Sequence, residues 1–205
     1  PEMSRGLGDV YKRQFKDYKV TAEVYDLNSK KVWGKSQKID IPEDGVVNDI
    51  FTIDFPQNIT QVHFIKLRLF DTKGKEVANT FYWRSNDKYE GRKTLTGPTS
   101  SGFEDLSKLK QVQLKTRYQT YQEGDRHFIK AEIKNPSSTV AFFTQLQLLG
   151  QDKKPVRPSF YTDNFFSLLP GESKTVIIET AASDMPSEPT FVVKGWNIKP
   201  SSFKL

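Results

Sequence analysis

Two histidines are the side chains in this sequence best suited to metal binding or acid–base catalysis. His63 and His127 each fall on a predicted strand, and the two strands belong to different predicted domains. Metal sites and catalytic triads need several such groups brought together, so this separation predicts neither. We interpret both as histidines on sheet faces. The absence of cysteine excludes thiolate metal sites, cysteine nucleophiles and disulfides.

Carboxylates are numerous but their placement does not indicate a catalytic pair. The chain has 25 Asp and Glu residues, nearly all in predicted turns or on strand faces. A retaining glycosidase needs two carboxyl groups about 5 Å apart, and no such pair can be identified. Glu172 follows the Pro170-Gly171 turn and is interpreted as a turn residue. No phosphate-binding glycine loop or nucleophile elbow is present. The sequence therefore predicts no catalytic residues, no metal and no cofactor.

The segment from residue 161 to residue 172 is the most informative stretch of the chain. It reads Tyr-Thr-Asp-Asn-Phe-Phe-Ser-Leu-Leu-Pro-Gly-Glu and leads into a β-branched run at 175–178. A polar turn, an apolar run and a Pro-Gly turn before such a run predict a strand edge, a tight turn and a buried strand. This pattern is typical of a β-sandwich.

The rest of the chain from Phe15 onward also has the two-residue period of β-strands. In the run 62–70, Ile65, Leu67 and Leu69 share one apolar face. Turn residues separate strands at intervals of about 8–14 residues, as in an immunoglobulin-like sandwich. A further strand is predicted over 50–55. The fold class is therefore all-β, with two tandem immunoglobulin-like β-sandwiches over residues 15–84 and 112–205.

Two segments lie outside these sandwiches. Residues 85–111 are polar and predict a linker, with one or two helical turns in which Phe103, Leu106 and Leu109 form an apolar edge. Residues 1–14 alternate in neither strand nor helix fashion and contain no signal peptide. They resemble a translated sequencing adapter, so we treat them as a non-native leader. A genuine upstream linker is the alternative.

Charge and hydropathy exclude two classes of partner. The net charge is +6, but basic residues occur in pairs at turns and do not form the stripe that nucleic-acid binding requires. The mean hydropathy is −0.62, and no apolar run approaches the roughly 20 residues that span a bilayer. We therefore expect no nucleic-acid partner and no membrane insertion.

Several motifs resemble the C-terminal domains of glycoside hydrolase family 2 enzymes of the exo-β-glucosaminidase and β-mannosidase type. The resemblance runs over residues 15–205 in the family's order. Besides 161–172, it rests on the strand at 19–26, the Asn-x-Phe-Tyr-Trp run at 79–83, the linker at 98–106 and the Gly-Trp-Asn run at 195–197.

The resemblance implies a fragment of a larger enzyme. Its catalytic glutamates would lie in a (β/α)₈ barrel, and nothing here alternates strand with helix as a barrel does. The chain would pack against that barrel in cis, beside an oligosaccharide substrate, in a periplasmic or secreted bacterial enzyme. The first sandwich would lack its N-terminal strand. Tyr161, Asp163 and Asn164 are weak candidates for substrate contact, since Asp and Asn before a strand more often close a local turn.

Two rival functions remain open. One is a stand-alone tandem sandwich that binds carbohydrate or protein, and the other is a surface adhesin or chaperone-like sandwich. A binding module would expose its aromatic rings, whereas tryptophan in a sandwich is more often in the core. We therefore predict that Trp33, Trp83 and Trp196 are buried. Their exposure distinguishes the accessory function from the binding function.

Overall fold

The computed structural model describes residues 15–86 and 102–205, and the described part is almost entirely antiparallel β-sheet. The chain divides into two compact units, Pro1–Leu106 and Ser107–Leu205. The all-β fold class is confirmed. The predicted leader and most of the predicted linker lie outside the described residues. A short 3₁₀ helix, Glu104–Lys108, follows the undescribed part of that linker.

The first unit contains one four-stranded antiparallel sheet in its described part. Its strands are β1 (Phe15–Asp26), β2 (Lys31–Ile41), β3 (Val62–Phe70) and β4 (Glu76–Ser85), in the spatial order β2-β1-β3-β4. The turn before β4 contains Gly74 at φ +78°, a conformation that glycine adopts without strain. The Asp71 carboxylate accepts hydrogen bonds from the N–H groups of Lys73 and Lys75, both at 2.9 Å.

Strand register confirms the predicted apolar face of the first sheet. Val20, Ala22 and Val24 of β1 lie opposite Leu69, Leu67 and Ile65 of β3. These side chains therefore share one face, since successive residues of a strand point to opposite sides. The loop between β2 and β3 lies over this face, and together they line a cavity of about 360 Å³.

The strand predicted over residues 50–55 is wrong, because this segment forms no ladder. Its alternation is nevertheless real: Phe51, Ile53 and Phe55 are half-buried and the residues between them are exposed. Ile50 lines the cavity above the sheet face. The segment thus packs its apolar side chains across a sheet instead of pairing along the sheet edge. Both arrangements bury every second side chain, so the sequence pattern does not distinguish them.

The second unit is a sandwich of two antiparallel sheets. In chain order its strands are β5 (Lys115–Glu123), β6 (Arg126–Lys134), β7 (Ala141–Leu149), β8 (Phe160–Tyr161), β9 (Phe166–Leu168), β10 (Ser173–Ala181), β11 (Thr190–Lys194) and β12 (Ser201–Lys204). One sheet has the order β5-β6-β10-β8 and the other β12-β11-β7-β9. A second 3₁₀ helix, Ala182–Asp184, follows β10.

The core of the second unit forms between the inward faces of these sheets. Its fully buried side chains include Ile129, Ile178, Leu148 and Phe191. Burial of each such side chain stabilises the fold by about 1.5–3 kcal/mol. Because the inward positions alternate with exposed polar ones along β6 and with half-buried ones along β10, the two-residue period of the sequence predicts this core.

The last predicted strand ends earlier than the sequence pattern indicates. The sequence predicts a strand over 191–198, in which Gly195 indicates a bulge or the close approach of another backbone, whereas β11 ends at Lys194. The cause is at Gly195: a Cβ built there would lie 2.8 Å from the carbonyl oxygen of Phe143 and 3.1 Å from that of Phe142. This close backbone approach, which the glycine predicted, turns the chain out of the sheet. The short strands β8, β9 and β12 were not predicted as separate elements.

The buried side chain of Asn197 takes over hydrogen bonding where β11 ends. Its Oδ1 accepts from the N–H of Phe142 at 2.9 Å, and its Nδ2 donates to the carbonyls of Val140 and Lys110 at 2.8 and 2.9 Å. Asn197 is only 4% exposed. One amide therefore satisfies backbone groups from two other segments, and water cannot replace it.

We predict that Asn197→Ala lowers the free energy of unfolding by about 3 kcal/mol, because it leaves buried backbone groups without partners. Urea denaturation of the chain measures this. Gln122→Ala is the control, since Gln122 is exposed and bonds only to the Gly124 carbonyl; it should change stability by less than about 0.5 kcal/mol. Equal effects of the two substitutions would contradict the role of Asn197 as the partner of these buried backbone groups.

Candidate functional site

Histidine and carboxylate side chains are the groups in this chain that would support catalysis. Within residues 15–86 and 102–205, no group of three or more His, Cys, Asp or Glu side chains could hold a metal ion. His63 lies on β3 in the first unit and His127 on β6 in the second. His63 is 2% exposed. Burial lowers its pKa, an effect that the Thr60 backbone opposes and the charge of Arg84 reinforces, and the imidazole packs beside Phe55.

A cluster of charged side chains in the first unit surrounds Glu23 on β1. Its carboxylate pairs with Lys31 and with Arg68 and accepts a hydrogen bond from the Tyr25 hydroxyl at 2.9 Å. Burial opposes ionisation of Glu23, but the bonds from Lys31 and Tyr25 and the charge of Arg68 outweigh it, so its pKa is lowered. Burial and the neighbouring carboxylate raise the pKa of Tyr25 to about 12.

This charge cluster joins neighbouring strands of the first sheet. Glu23 and Arg68 lie on the neighbouring strands β1 and β3, and Arg68 also contacts Glu76 of β4 at 3.5 Å. Perturbed pKa values accompany structural ion pairs as well as active sites. The geometry of a cross-strand network supports the structural role here.

We predict that Glu23→Gln destabilises the chain by about 1 kcal/mol at pH 7 and has little effect at low pH. The folded-state pKa of Glu23 lies below the ordinary value of 4.5, so its contribution is complete above that value and is lost as the pH falls through the folded pKa. Thermal unfolding from pH 3 to pH 7 tests this, with the exposed Glu43→Gln as control. A difference that stays constant with pH would contradict it.

The side chains of Tyr161 and Asn164 both reach strand β7, although Tyr161 itself belongs to β8 of the opposite sheet. Asn164 Oδ1 accepts from the N–H of Leu146 at 2.8 Å, and its Nδ2 donates to the Leu146 carbonyl at 2.9 Å. The Tyr161 hydroxyl accepts from the N–H of Leu148 at 2.8 Å. Burial raises the pKa of Tyr161, and this bond opposes the rise. β9 pairs with β7 only up to Thr144. Beyond that point, these two side chains supply hydrogen bonds to the backbone of β7.

Asp163 and Glu172 complete local turns. The Asp163 carboxylate accepts from the N–H of Asn164 at 2.7 Å and pairs with Lys174. Glu172 accepts from the N–H of Leu169 at 2.9 Å, across a turn in which Gly171 has φ +81°. Substrate contact by Tyr161, Asp163 and Asn164 stays a prediction. The hydrogen bonds of Tyr161 and Asn164 hold the backbone of β7 in place, and we call this the bracing of β7.

We predict that Asn164→Ala lowers the free energy of unfolding by about 2 kcal/mol, because both backbone groups of Leu146 lose their partner. The matched control is Asp163→Asn, which removes only a partly exposed ion pair and should cost less than about 1 kcal/mol. Chemical denaturation of both variants measures the difference. The reverse order of effects would contradict the bracing role.

The three tryptophans are more exposed than predicted. Trp83 is 41% exposed and Trp196 is 60% exposed, and Trp33 is half-buried. The expectation of core tryptophans is therefore wrong for Trp83 and Trp196. The reason lies in their positions: Trp83 belongs to β4, most of which is exposed, and Trp196 follows the point where β11 ends.

An exposed aromatic surface occurs at one end of the second sandwich. We call the side chains of Phe143, Phe165 and Trp196 the aromatic patch. Phe143 and Phe165 are 37% and 49% exposed, with ring centroids 5.4 Å apart. The backbone N–H of Trp196 donates to the Phe142 carbonyl at 3.1 Å, which places the backbone of Trp196 next to the start of β7.

The aromatic patch is built on unusual backbone. Phe143 has φ +57° and Phe165 has φ +58°, a left-handed conformation that costs a bulky residue about 1–2 kcal/mol. Sequence reasoning missed both residues. The sequence contains an indication of them, namely the Phe-Phe pairs at 142–143 and 165–166. A strand directs only one of two successive side chains into the core, so the other ring must lie elsewhere.

Comparison with known proteins identifies the domain type. A family described as the exo-β-D-glucosaminidase Ig-fold domain matches residues 94–198. The chain belongs to this family. A second family, the mannosidase Ig/CBM-like domain, matches residues 12–89. The predicted resemblance to immunoglobulin-like domains of glycoside hydrolase family 2 is thereby confirmed.

Similar proteins include two bacterial enzymes. The exo-β-D-glucosaminidase of Streptomyces avermitilis is 30% identical over 149 residues, which is 68% of this chain and 16% of the relative. That of Amycolatopsis orientalis is 25% identical over 86% of this chain and 18% of the relative. The crystal structure of the Amycolatopsis orientalis exo-chitosanase superposes with a TM-score of 0.83 at 20% identity, covering 94% of this chain and 24% of that structure.

The family match covers an accessory region only. The chain spans less than a fifth of the two curated relatives above, so most of each relative lies outside the matched part. Among the described residues, no helix has the length and apolarity to cross a bilayer.

Proposed function

We propose that this chain is the non-catalytic C-terminal accessory region of an exo-β-D-glucosaminidase of glycoside hydrolase family 2. The observation that carries the proposal is the 30% identity with the Streptomyces avermitilis enzyme over 68% of this chain. Glucosamine is favoured over mannose as the sugar of the whole enzyme, because the curated relatives are glucosaminidases and the mannosidase likeness is one of domain type only.

The catalytic step belongs to another part of the enzyme. Retaining hydrolysis uses one carboxylic acid to protonate the leaving oxygen and one carboxylate to attack the sugar. In the family these residues lie in a (β/α)₈ barrel, whereas the described elements here are strands and two short 3₁₀ helices. We infer that the barrel, linked in cis, supplies both groups and binds the oligosaccharide.

Residues 15–84 and 112–205 would form the two accessory domains, with residues 85–111 as their linker. Tyr161 and Asn164 would act within the second domain by bracing β7, and Asp163 by closing the turn before Asn164; together they would fix the surface that this domain presents to the barrel. The location that suits such an enzyme is the periplasm or the medium, where polymeric substrates occur.

A binding function is the second candidate, and a specific observation favours it. Trp83 and Trp196 are exposed, as a carbohydrate- or protein-binding module requires. Contrary to expectation, the exposure of these rings does not separate the two candidates, because an accessory domain also exposes rings where it meets the rest of its own enzyme. The two candidates differ in one property: a binding module retains its ligand in isolation.

We predict that the isolated chain releases no p-nitrophenol from p-nitrophenyl β-D-glucosaminide above the buffer rate. The Amycolatopsis orientalis enzyme whose own matching quarter is replaced by residues 15–205 should hydrolyse it, since the barrel is then present. The unmodified enzyme is the positive control. Turnover by the isolated chain that persists through purification, or a folded but inactive chimera, would contradict the proposal.

A further inference from the structure

Two residues of the aromatic patch have solvent-exposed rings and a backbone conformation that bulky residues rarely adopt. Phe143 and Phe165 are bulky residues in the left-handed region, and each holds a ring partly in solvent. Such conformations persist only where surrounding structure enforces them, and they cluster at functional positions. Neither ring belongs to the buried core cluster of the unit, although the Phe143 ring lies 5.8 Å from that of the buried Phe142.

Specific contacts enforce the two conformations. The pairing of β7 with β9 shifts register between Ala141 and Thr144, and this bulge reorients Phe143. The N–H of Phe143 donates to Ser167 Oγ at 3.2 Å. The N–H of Phe165 donates to Asn164 Oδ1 at 3.1 Å. The two rings are thus presented together by a fixed frame.

Trp196 is fixed by the same frame. Its N–H donates to the Phe142 carbonyl. The carbonyls of Phe142 and Phe143 lie so close to the preceding Gly195 that no side chain would fit there. Neighbours of Trp196 are basic: Lys194 and Lys199 flank it in the chain, and the carbonyl of Lys110 accepts from the following Asn197. Lys110 and Lys199 are exposed. Three lysines therefore lie close to Trp196 along the backbone, and the ammonium group of one of them, Lys194, donates to Gln147 Oε1 at 3.1 Å.

We propose that the aromatic patch is the surface by which this domain docks on the catalytic part of its own polypeptide, in an apolar hollow edged with carboxylates. The proposal rests on the proposed function. Aromatic residues are enriched at the centre of protein interfaces and charged residues at their rim. In the similar proteins most of the polypeptide lies outside the matched region, and the accessory domain must meet it.

Charge favours a protein partner over a sugar. Glucosamine oligomers carry ammonium groups near neutral pH, and the lysines around Trp196 repel them. Carboxylates on a protein surface are attracted instead, and a complementary rim fixes the orientation of docking.

The test compares the same substitutions in two contexts. Phe143→Asn and Phe165→Asn remove the rings, and Asn adopts a left-handed backbone more readily than Phe. In the isolated chain we therefore expect an unchanged or higher melting temperature. In the Amycolatopsis orientalis chimera we expect the half-life of p-nitrophenyl glucosaminide hydrolysis near the unfolding temperature to fall about tenfold, the effect of losing an interface hot spot.

Phe160→Asn is the matched control, because Phe160 is 57% exposed in the same unit and lies outside the patch. It should alter neither measurement. If the chimera is active but the patch substitutions do not change its half-life, the docking proposal is wrong and the proposed function still stands. A folded wild-type chimera without activity would contradict the proposed function, and docking with it.

A second arm distinguishes a sugar ligand. The isolated chain is titrated with glucosamine hexamer and the amide signals of residues 142–144, 165 and 196 are followed by NMR. We expect no saturable shift. Saturable shifts that disappear in Phe143→Asn would overturn protein docking and make the aromatic patch a saccharide site.

Discussion

Strand β7 depends on side chains for the hydrogen bonds that its neighbouring strands do not supply. Buried backbone N–H and C=O groups must be paired, yet β9 lies beside only part of β7. Asn164 and Tyr161 bond to Leu146 and Leu148 where β9 is absent, and Asn197 bonds to Phe142 near the other end. The position of β7 in the sandwich follows from these bonds.

The same bonds determine the surface of the second unit. Asn164 is bonded to Leu146 and also accepts from the N–H of Phe165, so one side chain holds both β7 and an exposed ring. Asn197 directly follows Trp196 and is buried. A surface held in this way needs little ordering when a partner binds, and such preorganisation lowers the cost of association. Structural bracing and docking therefore use one set of residues.

Much of the fold could be predicted because alternation and turn chemistry are local signals. The apolar face of β3 and the inward faces of β6, β7 and β10 follow from a two-residue period, and Gly195 indicated a close backbone approach. Residues 50–55 were misassigned, since alternation does not distinguish a paired strand from a segment packed across a sheet. The aromatic patch could not be predicted, because exposure of Phe143 depends on a bulge that only strand pairing reveals.

Hydrogen exchange of the isolated chain measures the bracing of β7 most directly. Amide protons bonded to side chains in a rigid frame should exchange through the same opening as strand amides. We therefore predict that the amides of Phe142, Leu146 and Leu148 exchange as slowly as that of Ile129 within the β6 ladder. Exchange of these three amides at the rate of exposed loop amides would contradict the account.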